Sequence, residues 1–170
     1  MRETFVDPDP TCVVRTDGIV VHYVAGVLFN YEKTRCVMVR KARPAWQAGF
    51  LNAVGGHIEL GEMPHEAMRR EFMEETGMGF STWQPVLELY SPPAGHIYFF
   101  KSFATDALLD LVKTQPLSNS MVEPILVLRI VDLLTGPDSM IPNLRWILPV
   151  MMCEGIEPFV VRETLRGGGL

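Results

Sequence analysis

The segment Gly55–Met78, GGHIELGEMPHEAMRREFMEETGM, constrains the fold of this chain more than any other. Two glycines open it. Pro64, preorganised for a first helical position, starts a helix that ends near Thr76, just before Gly77. At about 100° per residue, Glu71, Glu74 and Glu75 fall within roughly 100° of one helix face. Met68 and Phe72 flank that sector and are expected to pack on a sheet, which leaves the carboxylates at the edge of a core. Like charges at i,i+4, such as Glu71 and Glu75, repel by about 0.2–0.5 kcal/mol when solvated and by more when partly buried. A divalent cation relieves that repulsion, and hard oxygen ligands suit Mg²⁺ or Mn²⁺ rather than zinc.

The rest of the chain supplies the sheet. Residues 19–29 and 35–41 are β-branched and apolar and are separated by a polar turn, as in an antiparallel pair. Residues 42–49 read as a loop and 50–54 as a short strand running into the glycines. Further strands are expected at 84–90 and 96–104, with Pro92, Pro93 and Gly95 between them, and at 125–130. Residues 106–113 suit a short helix and 114–120 a loop. The 142–153 segment reads as a helix interrupted by Pro149. Strands outnumber helices, and hairpins mix with crossovers, so the fold class is α/β (α+β), a mixed sheet with helices on its faces.

Between Gly56 and Met78 the spacing is a glycine, five residues, Glu62, seven residues, then Arg70-Glu71-Phe72-Met73-Glu74-Glu75-Thr76-Gly77-Met78. Seven such matches arise by chance with odds on the order of one in a million. The pattern resembles the Nudix box. Phe72 and Met78 stand where aliphatic residues are commoner, which leaves the chemistry intact. "EFMEE" alone would read as a solvated acidic helix face; the glycines, Glu62 and Arg70 at fixed spacing decide against that.

The resemblance implies an α/β/α sandwich around a mixed central sheet, with the box as a loop-helix-loop. It further implies that Glu71, Glu74 and Glu75 hold the catalytic metal with the Gly55 carbonyl, while Glu62 sits near the metal waters. Water would then attack a phosphorus of a pyrophosphate. The proton acceptor is either a box glutamate or a glutamate of a later loop, for which Glu123 is the candidate; Glu123 reads equally as a surface charge. Arg70, i+4 from Glu66 and i−4 from Glu74, suits a role in orienting glutamates. Gly55 and Gly56 lie where backbone can approach phosphate, and His57 beside them is a further contact.

Substrate choice lies outside the box. Phe50–Glu59, FLNAVGGHIE, resembles MutT-type nucleoside triphosphate pyrophosphatases, which release a nucleoside monophosphate and pyrophosphate. Pro92 and Pro93 stand where a proline marks the ADP-ribose-hydrolysing subgroup, giving a dinucleotide or ADP-ribose pyrophosphatase as the alternative; paired prolines are also ordinary turn chemistry. Trp46 is the leading candidate to stack on a base, followed by Tyr90 and Trp146, each of which also suits packing. A non-catalytic nucleotide-binding module is the third reading, and the presence of all three glutamates weighs against it.

The net charge of −5 disfavours general nucleic-acid binding but permits a phosphorylated small molecule, since a metal supplies positive charge locally. Three scattered cysteines without a CxxC pair indicate neither a structural zinc nor a disulfide framework. The acid- and proline-rich start lacks a signal-peptide pattern, and no apolar run reaches membrane-spanning length. A cytoplasmic protein of one domain over 1–170, with a floppy 166–170 tail, is the expectation. Many family members are homodimers, and 48% apolar content with ten methionines is compatible with a buried subunit surface.

Overall fold

The computed structural model describes residues 21–91, 95–116, 122–136 and 140–162. The strands are β1 (His22–Asn30), β2 (Arg35–Arg40), β3 (Leu51–Asn52), β4 (Gln84–Ser91), β5 (Gly95–Ala104), β6 (Ile125–Arg129) and β7 (Phe159–Arg162). The helices are α1 (Pro64–Thr76), α2 (Asp106–Leu109), α3 (Ile130–Thr135) and α4 (Leu144–Met152), with a 3₁₀ turn at Ala45–Gln47. The sheet runs β3-β2-β1-β5-β4-β7, with β6 on β2. It is mixed: β1 pairs parallel with β5, and β4 parallel with β7, while β1–β2, β2–β6 and β4–β5 are antiparallel.

Period-two alternation assigns each strand residue to one of two cores. Val24 and Leu28 of β1, Val37 of β2, and Tyr98 and Phe100 of β5 pack with Ala67, Met68 and Phe72 of α1. Ala25, Val27 and Phe29 of β1, with Cys36 and Met38 of β2, face Leu133 of α3 and Leu144, Ile147, Leu148 and Met151 of α4. The sheet is therefore covered on both faces, the α/β/α arrangement. Where α1 crosses β1 the helix comes close: a Cβ on Gly26 would meet Met68 Sδ at 2.6 Å and the Trp83 ring at 2.9 Å.

The structure moves several boundaries. Ile130, expected to end a strand, instead begins α3, with its N–H bonded to the Thr34 carbonyl. The 106–113 helix stops at Leu109, after one turn capped by Thr105 Oγ1. β7 had no sequence expectation. α4 keeps Pro149 inside it. An interior proline costs about 3 kcal/mol, and the four fully buried side chains of this short helix offset that cost. Pro92, Pro93, the 117–120 part of the loop, Cys12 and the 166–170 tail lie outside the described residues. Among the described residues, no helix is long and apolar enough to cross a membrane.

Candidate active site

α1 begins and ends where its punctuation demands. Pro64 occupies the first turn, and Glu66 Oε2 accepts the Met63 N–H at 3.1 Å, the Glu half of a capping box. Gly77 closes the helix in the left-handed conformation at φ 70°, its N–H bonded to the Met73 carbonyl. The preceding 54–58 segment is pinned along β1: the Gly26 N–H bonds to the Val54 carbonyl, Val24 N–H to the Gly56 carbonyl, and Ile58 N–H to the His22 carbonyl. Two anchored backbones, one helical and one extended, thus hold the acidic face of α1 against the glycine pair.

The glycines are required by close approach. A Cβ on Gly55 would meet the Val24 carbonyl oxygen at 2.1 Å, and a Cβ on Gly56 would lie 2.5 Å from the Glu71 carboxyl. Gly56 therefore makes room for Glu71, a use of glycine that the spacing alone does not reveal. The Gly55 backbone N–H favours the charged form of the Glu75 carboxyl.

Arg70 organises the acidic cluster. Its Nε and Nη2 form a bidentate pair with Glu62 at 2.9 Å each. Nη1 donates to Glu71 at 2.9 Å and to Glu74 at 3.4 Å, and Nη2 also donates to the His57 carbonyl at 2.9 Å. Through this one guanidinium, the box loop and three box glutamates are tied together. Its hydrogen bonds hold the Glu62 carboxyl below the usual range. Burial pushes the Glu71 carboxyl up, although Arg70 opposes the shift.

Glu75 lies deepest, 8% exposed, and its Oε2 is buried without a hydrogen-bond partner. Burial, reinforced by repulsion from Glu71 and Glu123, pushes its carboxyl up to about 7, while Lys41 and the Gly55 N–H pull the other way. Glu74, by contrast, is exposed and touches only the rim of Arg70. Among the described residues, no three His, Cys, Asp or Glu side chains converge closely enough to hold a metal by themselves. Glu71 and Glu75 nevertheless suit a hard divalent cation: one is half-buried and the other buried, they repel each other, and one Glu75 oxygen has no hydrogen-bond partner. Mg²⁺ typically takes only one or two carboxylates and keeps several waters or phosphate oxygens. Beside the cluster, a groove of about 680 Å³ runs between residues 59–62, α1 and residues 79–81; Glu62 and Arg70 form part of its wall, and Glu71 and Glu75 do not.

The remaining candidates divide. Glu123, 4% exposed, lies near Glu75 and is ion-paired with Lys41, a residue the sequence reading did not single out. Burial raises its carboxyl, but the Lys41 pair and the Ala42 and Arg43 N–H groups outweigh this and hold it below the usual range. Trp46 sits 61% exposed on the 3₁₀ turn of the loop that follows Lys41. His57 is exposed, its ring 4.5 Å from that of Tyr23; desolvation, then Arg70, lowers its pKa. Tyr90 is engaged elsewhere, stacked on His96 at 3.9 Å with Arg162 over its ring. His96 bonds to Glu88 at 2.8 Å, whereas neither ring nitrogen of His22 has a partner.

Residues 20–120 match the NUDIX domain. The chain belongs to the NUDIX domain family. GDP-mannose pyrophosphatase of Enterobacter sp. (strain 638) is 35% identical over 91 residues, covering 48% of this chain and 47% of that protein. The protein of the same description from Cronobacter sakazakii is 32% identical over 99 residues, covering 49% and 51%. The chain thus spans about half the length of these curated relatives. In fold, this Nudix chain is similar to a MutT protein from Bacillus halodurans (TM-score 0.58, 17% identity, covering 85% of this chain and 91% of that one). It is also similar to MutT from a study of Aliivibrio salmonicida and Vibrio cholerae (TM-score 0.53, 22% identity, covering 77% and 95%).

Proposed function

We propose that this Nudix chain is a divalent-metal-dependent pyrophosphohydrolase of nucleoside-diphosphate-linked small molecules. The observation that carries the reading is the pair formed by half-buried Glu71, against Gly56, and buried Glu75, one of whose oxygens is left without a hydrogen-bond partner. Glu71 and Glu75 would hold Mg²⁺ or Mn²⁺, with Glu74 and the Gly55 carbonyl as further ligands. The metal, when bound, neutralises phosphate charge and orients the attacking water. Arg70 and Glu62 fix the carboxylate that the metal needs, and the backbone at Gly55 and Gly56, with His57, lies where a phosphate would approach. Trp46 is the proposed stacking surface for the base, and Tyr90 a more remote one.

Of the substrate classes, a nucleoside diphosphate joined to a sugar is favoured by the similarity to GDP-mannose pyrophosphatases. Cleavage would yield a nucleoside monophosphate and a sugar phosphate; ADP-ribose belongs to the same class. A second reading, a nucleoside triphosphate pyrophosphatase, rests on the Phe50–Glu59 run. Incubation with Mg²⁺ and a panel of nucleotide sugars, ADP-ribose, dinucleotides and triphosphates, followed by chromatography of products, decides between them. Sugar phosphate with monophosphate supports the first, and pyrophosphate release supports the second. A protein inert toward all of them overturns both. A cytoplasmic location, one domain over the whole chain and a homodimer belong to the same proposal.

A further inference from the structure

Glu123 sits beside the acidic cluster, yet both of its oxygens are already committed. Oε2 is ion-paired with Lys41, and Oε1 accepts the Ala42 and Arg43 N–H groups at 2.8 and 3.2 Å. A proton acceptor must reach the attacking water within about 2.6–3.2 Å, directly or through one water. A carboxylate that already accepts from a cation and two backbone amides, most of its acceptor capacity, is arranged to hold backbone in place. The backbone it holds is the entry to the 41–49 loop. That loop is closed at its base by Lys41 N–H to the Phe50 carbonyl and Gly49 N–H to the Lys41 carbonyl, both within 2.9 Å. Arg40 Nη1 adds a bond to the Gly49 carbonyl, and Asn52 Nδ2 bonds to Gln47 Oε1 at 3.2 Å, tying the tip to β3 just ahead of Gly55. At the tip stands Trp46 with its indole exposed. An exposed aromatic on a loop anchored at this many points is held ready rather than packed away, and preorganisation of that kind lowers the entropic cost of binding.

We infer that Glu123 is a positioning residue: through Lys41, Ala42 and Arg43 it fixes the 41–49 loop so that Trp46 presents its ring to the nucleotide beside the glycine turn, and it governs affinity rather than bond cleavage. The inference rests on the pyrophosphohydrolase reading and deepens it, because it places nucleotide recognition on this loop.

The test uses the full chain with Mg²⁺ and the best substrate from the product screen, and compares Glu123→Gln, Glu123→Ala and Trp46→Ala. Gln keeps an oxygen for the two amides, so kcat and KM should stay within about tenfold of wild type, with the acid limb of the pH profile in place. Ala removes the clamp. Its KM should rise about ten- to a hundredfold, the scale of a lost aromatic–base stack, and Trp46→Ala should match it. Amide exchange at Ala42 and Arg43 should accelerate in the Ala variant and far less in the Gln variant. Trp46 lies on the surface, so its variant remains informative even if Glu123→Ala fails to fold. A kcat loss of about 10²–10⁴ in Glu123→Gln, with the acid limb abolished, would make Glu123 the proton acceptor and overturn the inference. An unchanged KM in Trp46→Ala would overturn it as well. Inert wild-type protein would instead defeat the parent reading, a distinct outcome.

Discussion

Replacing Glu75 with Gln should make the metal-free protein more stable while abolishing its activity. In the folded chain the Glu75 carboxyl titrates near 7 rather than at the ordinary 4.5, chiefly because it is buried. Each tenfold change in proton affinity corresponds to about 1.4 kcal/mol, so the ionised group costs the fold roughly 3 kcal/mol. The sign follows from proton counting. Between pH 4.5 and about 7 the folded state keeps a proton that the unfolded chain has released. Stability from this group therefore falls as pH rises through that window and levels off above it. Gln mimics the protonated form. Urea unfolding in EDTA should show wild type and Glu75→Gln alike at pH 4.5, and Gln ahead by about 2–3 kcal/mol at pH 8.5. Saturating Mg²⁺ should narrow the gap, since ligand binding stabilises only the folded wild-type site. A Gln variant no more stable than wild type at pH 8.5, or an advantage that ignores pH, would refute the view that Glu75 is an ionisable group held in place for a cation.

Three further substitutions test other parts of the site and fold. Gly56→Ala places a Cβ 2.5 Å from the Glu71 carboxyl; kcat should fall by about a hundredfold, the cost of an ångström-scale misplacement, with the circular dichroism spectrum unchanged. Arg70→Lys gives up the bidentate pair with Glu62, and steady-state kinetics should show kcat/KM lower by about 10–100-fold with metal affinity weakened in parallel. Gly26→Ala pushes on Met68 and Trp83 where α1 crosses the sheet; chemical denaturation should report a loss of about 1–3 kcal/mol at unchanged kcat.

What could be read in the sequence was what local chemistry punctuates. Pro64 and Gly77 bracket α1, and its observed span Pro64–Thr76 coincides with the expected one. Met68 and Phe72, expected on the sheet, are fully buried. The β1–β2 and β4–β5 pairs follow from apolar runs separated by short polar or glycine-containing turns. The features that escaped depend on distant partners. Lys41 and Glu123 are 82 residues apart, and nothing near either one signals their pairing. At Ile130, where strand gives way to helix, the N–H bonds to the distant Thr34 carbonyl, and β7 pairs along β4, about seventy residues away in sequence. Helical spacing placed three glutamates on one face but gave no sense of depth. Glu75 is nearly engulfed and Glu74 is exposed, so the trio is an uneven set of oxygens rather than a symmetric cage.

The most direct test of the account is a Mn²⁺ titration followed by electron paramagnetic resonance, comparing wild type with the Glu71→Gln/Glu75→Gln double variant, with and without a non-hydrolysable nucleotide. Wild type should bind Mn²⁺ more tightly when the nucleotide is present, and the double variant should lose at least about tenfold in affinity while remaining folded. Equal Mn²⁺ affinity in the two proteins would mean that these carboxylates do not hold the ion, and the hydrolytic mechanism built on them would be wrong.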